Sequence, residues 1–192
     1  VLMLGSFVFA VRESSLATTY SIFMCAPLLV AALSVPVLGE RVARAQWLAI
    51  AAGLSGVLLM IAPRGGQWVS LGALLALVAA VTYALAVVSL RRLARTDTTE
   101  SMVFWFTALL SVGAGLLSIP GWVPLAASHW PLLVGVGLTG ALGQHFITEA
   151  FRHAPAAVVA PFEYTALLWG VLLDLVVWHV LPGAVTLLGG GI

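Results

Sequence analysis

Glu163 lies near the middle of a long apolar run, residues 155–178. At 1.5 Å per helical residue it sits about 5 Å along the axis from the centre of that run. A carboxylate at such depth costs at least about 2.5 kcal/mol on insertion scales, so it is expected to face a cavity between helices and not lipid. Its neighbours suit a binding role. Tyr164 offers a hydroxyl and an aromatic face for a ring or a cation. Pro161 removes a backbone donor and loosens the helix just before the carboxylate. This grouping can hold a polar solute or a proton.

Other polar residues inside apolar runs extend the candidate site. Gln144 and His145 lie slightly off the middle of the run 130–151, and His145 is spaced i, i+4 from Glu149, on one helix face. Glu149 is also expected to pair with Arg152. Tyr20 and Met24 are again i, i+4 and would form an aromatic and thioether wall beside a helix kinked at Pro27. Tyr83 is central in the run 70–90.

A charged turn, Gly39-Glu40-Arg41-Val42-Ala43-Arg44, separates two apolar runs. As a gate it would pair Glu40 with Arg44 at i, i+4. As a hinge it would end one helix at Gly39 and place Glu40 where a carboxylate complements the N-terminus of the next. The hinge is the favoured reading.

Two motifs are set aside. Gly135-Val136-Gly137-Leu138-Thr139-Gly140 matches a dinucleotide fingerprint, but that requires a soluble strand-turn-helix context. Gly135, Thr139 and Gly143 read instead as a small-residue packing stripe. Gly53-Leu54-Ser55-Gly56 resembles the nucleophile motif of intramembrane serine proteases, yet no general base is spaced to activate Ser55.

The elements that position these residues follow from composition. Of the 192 residues 62% are apolar and 8% charged, with a mean hydropathy of +1.14. A soluble domain carries about a quarter charged residues to cover its wet surface, so this is an all-α integral membrane protein. A net charge of +1 argues against a nucleic-acid partner. Cys25, alone and inside an apolar run, reads as a small core residue.

A bilayer core needs roughly 20 apolar residues per helix. On that ruler the spans are 1–11, 14–38, 45–62, 70–90, 101–119, 130–151, 155–178 and 183–192, six complete and two partial. The chain starts and stops inside apolar runs, without a basic segment that would mark a signal peptide. It is expected to be an internal portion of a longer membrane protein. Arg41, Arg44, Arg91, Arg92, Arg95 and Arg152 fall in alternate loops, with only Arg12 and Arg64 between. The arginine-rich loops, the Glu40 turn included, are therefore expected in the cytoplasm.

Sliding the chain by 140 residues brings Ala10 onto Ala150, Arg12 onto Arg152, Ala17 onto Ala157 and Leu28 onto Leu168. The shift crosses an odd number of spans, so the two copies would be inverted, a common plan of secondary transporters.

The segment VPVLGERVARAQWLAIAAGLSGVLLMIAP, with Pro27 upstream, resembles the EamA-type repeat of the drug/metabolite transporter superfamily, and EAFRHAPAAVVAPFEYTALLWGVLL resembles the matching helices of a second repeat. The resemblance implies an inverted repeat of five-helix bundles, ten helices in the parent. Residues 1–66 would end the first repeat and 67–192 form the second. It departs from the pattern where Gly39-Glu40 becomes His179-Val180. The expected function is a secondary permease for a small metabolite in a bacterial inner membrane, working by alternating access. Within the family the APFEYTALLW stretch is most similar to S-adenosylmethionine or riboflavin uptake members. Substrate contacts are expected from Glu163, Tyr164, Gln144, His145, Tyr20, Met24 and Tyr83. Pro27, Glu40, Arg44 and Pro161 would act as gate or hinge, and proton coupling would run through Glu163. No metal, cofactor or nucleotide site is expected. The rival classes are an intramembrane enzyme and a structural membrane subunit.

Overall fold

The computed structural model describes residues 2–14, 16–61, 70–122, 124 and 126–178. The span expected over 183–192, Arg64 and the His179-Val180 pair lie outside the described residues.

Nine α-helices occur among the described residues: α1 Leu2–Glu13, α2 Leu16–Phe23, α3 Ala26–Leu38, α4 Arg44–Ile61, α5 Leu71–Leu93, α6 Thr99–Ser118, α7 Trp130–His153, α8 Ala156–Val159 and α9 Thr165–Trp178. A five-residue 3-10 turn, Ala160–Tyr164, joins α8 to α9. No strand is present among them.

The helix α5 is the hub, packed along α1, α2 and α3. Its buried face is a stripe of small residues, Ala73, Ala76, Ala80 and Ala84, ending at Val87. Without side-chain bulk the backbones come close, which is how helices associate where lipid removes the hydrophobic drive. Gly72 shows how close: a Cβ there would overlap the hydroxyl of Ser14 and meet the carbonyl of Ala10 at 3.2 Å. Gly53 of the set-aside serine motif likewise sits against the side chain of Leu28. The outer helices carry exposed bulk, such as Phe104 at 64% and Trp105 at 60% on α6. Such a surface suits hydrocarbon, not water.

Three helices are long and apolar enough to cross a membrane among the described residues: Thr18–Leu38, Leu71–Leu93 and Thr99–Gly121. The first and the expected span 155–178 are not continuous. Residues 14–38 divide into α2 and α3 at Met24-Cys25, and 155–178 divides into α8, the 3-10 turn and α9. Proline explains both. Pro27 occupies the first turn of α3 and Pro161 the start of the 3-10 turn, where the missing N–H breaks the helical ladder.

The helix α5 also separates two polar ends. Ser70, just before it, meets Ser14 with hydroxyls 3.4 Å apart, near Arg12. Arg91 and Arg95 at its other end reach residues around Glu40 and Arg152. Its 23 residues span about 35 Å at 1.5 Å each, a bilayer core's thickness.

Candidate functional site

The two broken helices meet. The 3-10 turn lies against α3, and two hydrogen bonds tie its phenol and carboxylate to the first half of the chain and to α5. The Tyr83 hydroxyl donates to Glu163 Oε1 at 2.8 Å. The Tyr164 hydroxyl donates to the backbone carbonyl of Met24 at 2.8 Å. That carbonyl is available because the α2–α3 break interrupts the helical ladder. Tyr83 is held in turn by Phe23, edge-on with centroids 5.7 Å apart, and Phe7 packs edge-on against Phe23 at 5.3 Å. Glu163, Tyr164, Tyr83 and Met24 are each half-buried. A carboxylate in such surroundings is held by hydrogen bonding, and Tyr83 supplies that bond.

Beside Tyr164 is a small cavity of about 70 Å³, lined by Pro27, Ala31, Ile50, Ala157, Pro161 and Tyr164 among others. A water molecule takes about 30 Å³ of liquid and drug-sized ligands need several hundred. The cavity holds no metabolite as it stands. A larger groove, about 420 Å³, runs between α1 and α6 past Leu4, Val8, Arg12 and Leu117, away from the expected site residues.

The remaining expected site residues fall elsewhere. Met24 meets Tyr164 through its carbonyl, not its thioether. Tyr20 is 38% exposed, one turn before the break. The Gln144 amide donates to Thr148 Oγ1 at 3.3 Å, on its own helix, and His145 stacks edge-on with Phe146. Glu149 pairs with neither His145 nor Arg152. It accepts from the Thr99 hydroxyl and lies 3.3 Å from His153 Nδ1, while Arg152 donates to Thr99 Oγ1 at 2.9 Å. Thr99 is buried at the start of α6, so this network joins α6 to α7.

The Glu40 turn bears out the part of the hinge reading that ends α3 at Gly39 and gives Glu40 partners that neither reading named. Gly39 does end α3, with φ 69° and its N–H on Val35 O at 3.1 Å. Glu40 does not pair with Arg44, which begins α4 and is exposed. Nor does Glu40 serve the N-terminus of α4. Gln46 does that, its side chain accepting from Ala43 N–H at 2.9 Å, as the N3 residue of a capping box does. Glu40 instead lies 3.4 Å from Arg91 Nε and accepts from Ala156 N–H at 3.1 Å and Ala157 N–H at 3.4 Å. The left-handed Gly39 turns the chain, and three non-helical residues then separate Glu40 from α4, so the carboxylate reaches across to α8. Arg91 is the residue that sequence reasoning missed. Its one signal was membership of the arginine-rich end.

The serine of Gly53-Leu54-Ser55-Gly56 donates to Ala52 O of its own helix at 2.7 Å, a satisfied hydroxyl and not an activated one. Thr139 likewise donates to Gly135 O at 2.8 Å along α7.

Comparison with known proteins agrees with a membrane carrier. The EamA-like transporter family model matches residues 70–192. The chain is 31% identical to the pseudopaline exporter CntI of Pseudomonas aeruginosa, over 98% of this chain and 67% of the exporter. It is 31% identical to a riboflavin transporter of Vibrio cholerae, over 81% of this chain and 52% of that protein. It is 20% identical to an S-adenosylmethionine uptake transporter of Rickettsia prowazekii, over 96% and 62%. The chain thus spans from about half to two thirds of these relatives' length. No solved structure matches it. These relatives are named as transporters, not enzymes, which leaves the intramembrane protease without support. The chain belongs to the EamA-like transporter family.

Proposed function

We propose that this chain is the greater part of a secondary permease that moves a small metabolite by alternating access between two inverted halves, residues 1–66 being the C-terminal part of the first and 67–192 belonging to the second, in a bacterial inner membrane. The observation that carries the reading is the Tyr83–Glu163 hydrogen bond, beside two helices that are each broken near mid-membrane. Discontinuous helices facing one another at that depth are the usual construction of a transporter's substrate and coupling site. Among the described residues no guanidinium is bonded to Glu163, whose hydrogen-bond donor is the Tyr83 phenol. A carboxylate held so deep suits a group that exchanges a proton for a cationic or polar part of the solute. The 140-residue repeat supports the same plan, since it pairs Met24 with Tyr164, and these two touch.

The relatives' names direct the substrate panel: pseudopaline, riboflavin and S-adenosylmethionine. The aromatic residues around Glu163 favour an amphipathic solute with a ring. The test is flux of each through the full-length protein in proteoliposomes, with and without an imposed pH gradient. One panel member is expected to move, faster with the gradient, and Glu163→Gln is expected to abolish that acceleration. Full rate and unchanged pH dependence in Glu163→Gln would end the proton-coupling part of the proposal.

A further inference from the structure

At the arginine-rich end one side chain of the first half holds together the ends of three helices of the second. Glu40 is 10% exposed. Its carboxylate receives Arg91 Nε from the end of α5 and the N–H groups of Ala156 and Ala157 that open α8. Arg91 does not serve Glu40 alone. Its Nη1 donates to the carbonyls of Phe151 and Arg152 at 2.8 and 2.5 Å, which ties in the end of α7. Arg95 adds a second bond across the halves, from Nη2 to Leu38 O at 3.3 Å.

This junction lies on the route to the site. The helix α8 is only four residues long, and the 3-10 turn carrying Pro161, Glu163 and Tyr164 follows it directly. The cavity behind that turn is walled by Ala31 of α3 and Ala157 of α8, the two elements that Glu40 joins. At about 70 Å³ it is too small for a metabolite. The helix α8 packs on α3, and Glu40, just past the end of α3, accepts from the N–H groups that open α8, so a solute entering from this end would have to part the two.

We propose that Glu40 and Arg91 form the latch that closes the cytoplasmic end of the transport cycle, and that release of Ala156 and Ala157 from Glu40 opens the site around Glu163 to the cytoplasm. The inference rests on the alternating-access reading above. It assigns to Glu40 a partner and a step, where the local turn offered only a hinge.

The experiment is thiol labelling of the full-length protein in inside-out membrane vesicles. Cys25, 1% exposed, is replaced by Ser, and Ala157→Cys serves as the reporter at a position 3% exposed. A membrane-impermeant maleimide is applied from the cytoplasmic side. Glu40→Gln and Arg91→Gln are each expected to raise the labelling rate roughly fivefold, the change in open population for a loss of one weak polar contact. Glu40→Asp, which keeps the charge, is expected to rise less. Each variant is first checked for a monodisperse profile in detergent, and any one that folds decides the matter. An unchanged labelling rate in a folded variant overturns the latch. Labelling needs no substrate, so the two readings separate. Increased labelling without flux of any panel solute would count against the permease reading, while the Glu40–Arg91 contact would still be the bond that keeps this end closed. Transport with unchanged labelling would do the reverse.

Discussion

Tyr164 and Met24, 140 residues apart in the chain, are joined by a 2.8 Å hydrogen bond from phenol to backbone carbonyl. The bond satisfies an acceptor that the break between α2 and α3 leaves free, and it pins the 3-10 turn to that break. Tyr164→Phe is expected to destabilise the protein by about 1 kcal/mol, the usual net value of one such bond. Thermal unfolding in detergent would read this directly, and an unchanged Tm would mean that the turn is held by packing alone.

The Tyr83–Glu163 pair predicts a loss of transport in addition to a modest loss of stability. A bond to a charged group contributes about 1.5–3 kcal/mol, and half-burial puts this one at the lower end. Tyr83→Phe should therefore lower kcat/KM for the transported solute about tenfold. Ser89→Ala, whose hydroxyl is satisfied by Leu85 O of the same helix, is the matched control on α5 and should stay within twofold by the same scale. Equal losses in both would detach the effect from Glu163.

Close approach of α1 and α5 makes Gly72 intolerant of a side chain. In Gly72→Ala the new methyl meets both Ser14 and the backbone of Ala10, and overpacking of this kind costs about 1–3 kcal/mol. Gly53→Ala meets only the end of the Leu28 side chain, which can rotate away. The Gly72 variant should lose more stability than the Gly53 variant, and the reverse order in chemical denaturation would contradict this packing.

Gly39 has φ 69°, a conformation that costs an L-residue about 1–2 kcal/mol. Gly39→Ala should destabilise the fold by about that amount, and Gly39→Asn by less, because Asn tolerates this region. The same strain would tilt Glu40 away from Ala156, so Gly39→Ala should also raise thiol labelling at position 157 in the assay above. Destabilisation with unaltered labelling would separate the turn from the latch.

Much of the architecture was legible in the residues. The runs at 45–62, 70–90, 101–119 and 130–151 match α4, α5, α6 and α7 to within a few residues, and proline marked both interrupted runs. The site was legible in part. Depth singled out Glu163, and Tyr83 was noticed as central in its run, but nothing in the sequence joined the two. Gln144 and His145 looked equally polar and equally deep, yet Gln144 bonds along its own helix, while His145 sets its ring against Phe146 and lies near Glu100 of α6. Helical spacing proposed Glu40 with Arg44 and His145 with Glu149. Glu40 took a partner from elsewhere in the chain, and Glu149 took Thr99 of α6 together with His153 one turn on.

The sequence by itself determined the class, the order of the helices and which loops share a side. In hydrocarbon each backbone polar group must be satisfied within its own helix, so apolar run length and arginine placement already carry that information. The tertiary structure alone decided which partner each buried polar side chain takes. Glu40 found Arg91 51 residues away, Tyr83 found Glu163 at 80, and Tyr164 found Met24 at 140. Hydrogen bonds act only over about 3 Å, so such pairs exist only after the helices have packed.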